Sequence, residues 1–438
     1  MNPLRLLLPV DRFSPHDRAV ALTMWAVGVV QGFGQAHPSA TLPFTRAALG
    51  LSGAEMSAVL AVTRLASLGA VALALMADRW GRRRPLIFAF LLLLAANGLS
   101  VLTTNPIGFT SAQSLVRIAT SAISALGVVW LAEHLSPTVR AYGISLYGAA
   151  GSLGAGLAIL GLPLAEIDWR IPYALTLLGL ALVPFLFRRI EESPLLPGQT
   201  VLPSPFGKDL IRLGTQFRNM PFWIAAVTGL MASAFSAVGL AFSTERLVGD
   251  LGFSTGTAVA ITLTGGTLGG IGFFVGGRMA DGWGRRPATV VALLMILSGG
   301  VALYQVETLP LLVTAVVISS FGSFAYIPSA ATHRAELFPT GVRAGVASTL
   351  AWLGTVGSAL GLTVGRFTID EIGLSGTMNL LGIGMLISAA LTLALPETRG
   401  RVLEAARSNP PPLSEAVGEH EDHGPAPDEP GGGPPHSR

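Results

Sequence analysis

The chain has 438 residues, of which 51% are apolar and only 12% charged, with a mean hydropathy of +0.60. An average soluble domain carries roughly 25% charged residues, so a soluble globule of this composition could not cover its surface, whereas a protein wrapped in lipid could. Cysteine is absent, which excludes disulfides and thiolate metal sites, and the net charge of +3 comes with no basic run interleaved with aromatics, which argues against nucleic acid as a partner.

The opening stretch, MNPLRLLLPVDRFSPHDR, has too short an apolar run for a signal peptide and no small-residue cleavage site after it. Residues 1–17 are expected to be a cytoplasmic N-terminus. About 20 predominantly apolar residues span a bilayer as a helix, and twelve such runs follow. Six lie near 18–40, 53–77, 86–104, 108–132, 141–163 and 170–188, giving an N-terminal half over 18–188. The polar, Pro-rich stretch 189–220 reads as a cytoplasmic linker. Six more lie near 221–245, 255–278, 288–306, 309–332, 343–366 and 374–395, giving a C-terminal half over 221–395. From 396 to 438 the composition turns to Pro, Gly and acid, which predicts a disordered cytoplasmic tail. The expected fold class is an all-α membrane protein of twelve transmembrane helices. With both termini in the cytoplasm, 22 of the 28 basic residues fall on that side, which sets the N-in, C-in orientation.

The two halves repeat. MADRWGRRRP starts at Met76 and MADGWGRRPA at Met279; Asp78 and Asp281, Gly81 and Gly284, Arg82 and Arg285, Arg83 and Arg286 all differ by 203. Glu133 and Glu336, Arg140 and Arg343 keep that offset in EHLSPTVRA and ELFPTGVRA. Two halves in the same orientation imply parallel repeats about an axis along the membrane normal, with the solute site between them near the midplane. Gly81 and Gly284 suit the tight turn between adjacent helices, and Arg82 and Arg83 can pair with acids of their own half such as Glu133.

These loops resemble the signature of the major facilitator superfamily over essentially residues 15–405. Ala74 stands where the first copy would carry the signature glycine, which the second copy has as Gly277, and Gly282 stands for a basic residue in the second. The Glu-six-Arg loops, EESP at Glu191–Pro194 and PETRGRVLE at Pro396–Glu404 look like the sugar-porter and metabolite–proton symporter branches. The resemblance implies alternating access, with the twelve residues of the duplicated loops forming a latch that closes the cytoplasmic side. The first copy, with four Arg, is expected to hold tighter, so Asp281→Ala should be tolerated better than Asp78→Ala.

Ionisable residues at membrane depth cost roughly 2.5–3.5 kcal/mol on insertion scales and mark functional sites by default. Arg64 lies 14 residues before Asp78 and Arg117 lies 16 before Glu133, about 21 and 24 Å from the cytoplasmic ends at 1.5 Å per residue. Arg117 matches the superfamily's span-4 Arg, for which the resemblance implies substrate or proton coupling. Proton-coupled sugar porters pair that Arg with a span-1 Asp; here span 1 carries Gln31 and Gln35, one turn apart on one face. Two cations without a buried acid call for an anionic ligand, since Arg matches carboxylates bidentately. Tyr326, Ser323 and Trp352 are weaker cavity candidates in the second half. His37 is expected to cap or lie at the surface, and Glu245 to form an outer-rim pair with Arg246.

The span-7 Gln/Asn pattern of sugar porters and the span-5 Gly-Pro pair of antiporters are both missing, and no phosphate-cradling loop appears. The expectation is a secondary carrier of a small organic solute, an anion or carboxylate, in the plasma (inner) membrane, acting as a monomer without cofactor or metal, with protons a candidate co-substrate. It is not expected to be an enzyme. A multidrug or metabolite exporter and a sugar transporter are the alternatives, and a carrier-fold nutrient sensor is the alternative of another class.

Overall fold

The computed structural model describes residues 13–136, 139–192, 219–338 and 340–399. Most of the expected N-terminus, linker and tail lies outside the described residues. All regular structure among those residues is helical, and eleven helices are long and apolar enough to cross a membrane. The last, Thr340–Leu393, holds two of the expected spans, separated by Gly373 at φ 73°, so the twelve runs become twelve spans.

The helix starts are written locally. Span 1, Pro15–Ala40, opens with a capping box in which Ser14 and Asp17 satisfy each other's backbone N–H groups. Ser52 and Glu55 do the same for span 2, which begins at Gly53. Asn105 caps span 4, Pro106–His134, by accepting from the Gly108 N–H at 2.8 Å, with Pro106 in the first turn where its missing donor is harmless. Spans 2 and 8 each break halfway. In span 2 a 3₁₀ turn covers Ser67–Gly69, and in span 8 the break falls at Gly270 between Thr255–Gly269 and Ile271–Gly282.

Each half packs its own core. Met24, Leu93, Trp130 and Tyr147 centre the N-terminal one. The other, around Phe235, Tyr304 and Met378, runs on into Leu42, Met56 and Leu60 at the outer end of the N-terminal half. Gly154 of span 5 presses on the Val29 carbonyl of span 1, and Gly357 of span 11 on the Leu230 carbonyl of span 7, so a side chain at either would drive the pair apart. These two glycines are again 203 residues apart.

The halves touch each other at their outer ends. Arg46 donates to Glu245 at 2.5 Å, the Ala54 N–H to Asp370 at 3.1 Å, the Ser57 hydroxyl to the Leu362 carbonyl at 2.6 Å, and the Thr255 hydroxyl to Glu166 at 3.0 Å. These are the four cross-half hydrogen bonds among the described residues, and all lie on the outer side. The carrier is therefore closed to the outside.

Candidate functional site

On the cytoplasmic side the two loop copies build the same bracket twice. Gly81 sits at φ 88° and Gly284 at φ 115°, conformations that favour glycine. A Cβ on Gly81 would collide with the Glu192 carboxylate, and one on Gly284 would come 2.6 Å from that of Glu397. Each carboxylate caps the helix that follows its glycine. Glu192 accepts from the N–H groups of Arg82 at 2.6 Å and Arg83 at 3.3 Å; Glu397 accepts from those of Arg285 at 2.8 Å and Arg286 at 3.1 Å. The first Arg of each copy then pairs with the glutamate ending span 4 or span 10, Arg82 with Glu133 at 3.5 Å and Arg285 with Glu336 at 3.2 Å. The second reaches carbonyls at the end of span 6 or span 12, Arg83 to Phe187 at 2.6 Å and Arg286 to Leu393 at 3.2 Å.

Every one of these contacts stays inside one half. Among the described residues these contacts brace each half from within. Arg285 also pairs with Asp281, whose side chain is 75% exposed. The side chains of Asp78, Arg140 and Arg343 lie outside the described residues.

Within the membrane two cavities meet. One, of about 490 Å³, is lined by Gln31, Gln35, Arg64, Arg117, Ser124 and Tyr147 among others. The other, of about 440 Å³, is lined by Arg64, Ser233, Ser236, Tyr326, Arg334 and Gly354 among others. Arg64 and Leu240 line both, so the two cavities adjoin where the halves meet. Among the described residues neither lining contains an Asp or Glu. Arg64 and Arg117 lie near enough to repel each other, and among the described residues neither guanidinium has an ion pair or a hydrogen bond.

The expectations for His37 and for a Glu245–Arg246 pair need correction, and the other candidates are placed by their contacts. Gln31 is buried and fully engaged: its amide N–H groups donate to the Thr120 carbonyl at 3.0 Å and to Ser124 at 2.5 Å, and its carbonyl accepts from Tyr147 at 2.6 Å. It lines the cavity while its amide is held by the wall, and Gln35 lines the same space. His37 is completely buried, its Nε2 3.0 Å from the Thr176 hydroxyl and its ring packed on Phe33 and Tyr173. Glu245 pairs across the halves with Arg46, because the chain after Ala241 passes into a π-helical turn that turns it inward; Arg246 pairs instead with Asp250 at 3.6 Å. Trp352 is about half exposed and lines neither cavity, while the Ser323 hydroxyl bonds back to the Ser319 carbonyl.

Sequence reasoning missed Arg334, Tyr147, Arg46, Glu192 and Glu397. The glutamates had a signal, since the EESP and PETRG segments follow equivalent spans, but their offset is 205. Arg334 carried none, because it stands just past the expected end of span 10.

The Major Facilitator Superfamily model matches residues 24–304 and 260–420. The inner membrane transport protein YnfM of Escherichia coli (strain K12) is 26% identical over 168 residues, a match spanning 38% of this chain and 40% of that protein. NiaP of Bacillus subtilis (strain 168), named as a candidate niacin/nicotinamide transporter, is 24% identical over 342 residues, 77% of this chain and 85% of that one. A bacterial homolog of the human lysosomal transporter Spinster superposes with a TM-score of 0.73 at 16% identity, over 87% of this chain and 97% of that chain. With twelve spans in two repeated halves, a cavity between them and a family match over most of its length, the chain belongs to the Major Facilitator Superfamily and is an integral membrane transporter, not an enzyme.

Proposed function

We propose that the protein carries a small organic anion, in the simplest case a carboxylate, across the plasma (inner) membrane by alternating access. The observation that carries this reading is the lining of the two adjoining cavities, with three guanidiniums and no carboxylate among the described residues. A cation or a neutral sugar would leave that charge uncompensated at a depth where uncompensated charge is costly. The name of NiaP includes niacin, a carboxylate, beside the neutral nicotinamide, so an organic anion falls within the chemistry named for a relative. The whole path lies between the halves of one chain, so a single copy suffices for transport. Proton coupling is tested by imposing a pH gradient on proteoliposomes, where stimulated uptake supports a proton as co-substrate.

Uptake of radiolabelled carboxylates, sugars and cationic drugs into proteoliposomes tests the reading. Carboxylate uptake is expected in the wild type and should fall at least about tenfold in Arg117→Ala and Arg64→Ala, roughly the loss of one charge-assisted contact. Sugar uptake that survives both substitutions, with no carboxylate flux, would sink the anion. Tight binding without any flux would favour a sensor.

A further inference from the structure

We infer that the solute site has a second anion-binding position on the C-terminal half, formed by Arg334 and Tyr326, and that the solute is a dianion bridging the halves. The inference rests on the anion reading above and narrows it.

Arg334 belongs to the long span-10 helix Leu309–Leu337, yet it faces the cavity shared with Arg64. Its one hydrogen bond among the described residues is from Nη2 to the Tyr326 hydroxyl, two turns earlier, at 2.6 Å, with its guanidinium carbon 5.7 Å from the centre of that ring. No carboxylate among them pairs with it. The neighbouring Glu336 is already taken by Arg285 and by the Thr398 hydroxyl at 2.6 Å. Across the cavity span 7 presents Gly229, where a Cβ would begin 3.4 Å from Nη2, so no side chain covers the guanidinium on that face. One turn further along span 7, the Ser233 hydroxyl lines the same space without a hydrogen bond of its own among the described residues.

Hydrogen-bond direction makes this a built position. The Tyr326 oxygen accepts from Arg334, which leaves its own proton free to donate. The remaining guanidinium N–H groups, the phenol O–H and the Ser233 hydroxyl are all donors suited to one carboxylate. Arg64 and Arg117 offer the same chemistry from the other half. The cavity between Arg64 and Arg334, about 440 Å³, is within the usual range of small-ligand sites, roughly 300–1,000 Å³. A short dicarboxylate would place one group on Arg64 and Arg117 and the other on Arg334, touching both halves at once. A monocarboxylate would leave Arg334 facing an unmatched cavity.

The test uses full-length purified protein and matched pairs differing only by the second carboxylate: succinate with butyrate, and terephthalate with benzoate. Ligand stabilisation follows mass action, so thermal shifts at pH 7.5 give relative affinities. In the wild type at least one dianion is expected to bind about tenfold or more tighter than its partner, about 1.4 kcal/mol. Arg334→Gln should erase that preference to within about twofold, with the dianion losing more affinity than its monoanion partner, and Arg334→Lys should keep part of it. Arg117→Gln should weaken both members of the pair. Should Arg334→Gln not fold, judged by its ligand-free melting, Tyr326→Phe replaces it, with a severalfold loss of the dianion preference expected. Equal binding of mono- and dianions by the wild type, or an intact preference in Arg334→Gln, overturns the second position. In that event monoanion binding that still needs Arg117 leaves the broader reading standing. If no anion binds the wild type, both fall together.

Discussion

Gln31 makes three hydrogen bonds in the membrane interior, and the partners are what give its place meaning. Thr120 and Ser124 fix it to span 4 and Tyr147 fixes it to span 5, so one amide pins three helices beside the solute cavity. Leaving a buried acceptor unmatched costs about 1–3 kcal/mol. Tyr147→Phe keeps the ring but strands the Gln31 carbonyl, and should lower stability by about that amount, read as a drop of apparent melting temperature in detergent. An unchanged melting temperature would mean the bond carries nothing. On the cytoplasmic side Glu397 is a different case. Burial raises its carboxyl pKa, but the N–H groups of Arg399, Arg285, Arg286 and Thr398 together outweigh that and hold it below the ordinary value of 4.5. A lowered native pKa contributes stability above the unfolded value and loses it as pH falls through the native one. The stability gap between wild type and Glu397→Gln should therefore close on acidification from about pH 6 to about pH 3; a gap constant with pH would contradict this. Arg64 and Arg117 were legible in the sequence because charge at membrane depth is conspicuous. The engagement of Gln31 was not, since its partners lie 89 residues or more away.

At the level of helices, hydropathy located all twelve spans because lipid demands long apolar runs, and it located them without any knowledge of packing. What it did not carry was how span 7 ends. The α-helix stops at Ala241 and the π-helical turn Glu245–Asp250 follows, so Glu245 swings from the rim into the contact with Arg46 of the other half. Thr244 and Ser243, just before it, line the cavity. The outer closure thus stands directly above the solute space, and its ion pair must part whenever the carrier opens outward. Among the described residues Arg46 Nε and one Glu245 oxygen lack partners, so the pair is under-satisfied. Glu245→Gln removes one charge and should shift the population toward the outward-open state. The native chain contains no cysteine, so a single Ser243→Cys reports cleanly. Its labelling from outside by an impermeant maleimide should be slow in the otherwise native chain and rise severalfold with Glu245→Gln added. Equal rates would show that Glu245 holds nothing closed.

Across the whole molecule the 203-residue repeat separates what moves from what does not. The cytoplasmic brackets and the Gly154 and Gly357 crossings each lie within one half and occur once per half, which is the arrangement of two bodies that stay rigid. The four cross-half bonds have no such counterparts, and they are the ones that must break. The copies are unequal in sequence: the first loop carries four Arg, and Gly282 stands in the second where the first has Arg79, while the exposed Asp281 pair with Arg285 is worth about 0–1 kcal/mol. Asp281→Ala should accordingly cost less transport than Asp78→Ala, and equal losses would remove the asymmetry. Rigid halves rocking on each other make a stronger demand at the outer interface. Gly53 begins span 2 against Ile369 of span 11, where a Cβ on Gly53 would come 2.7 Å from the Ile369 side chain. Cysteines replacing both residues are close enough to be bridged, and the absence of native cysteine leaves no competing thiol. Oxidation of the Gly53→Cys, Ile369→Cys double variant should stop solute flux in proteoliposomes while ligand-induced thermal stabilisation persists, because the solute space stays intact below the bridge. Reductant should restore the flux. Flux that continues in fully oxidised protein would mean that the outer ends need not separate, and the two halves would then not be the moving parts.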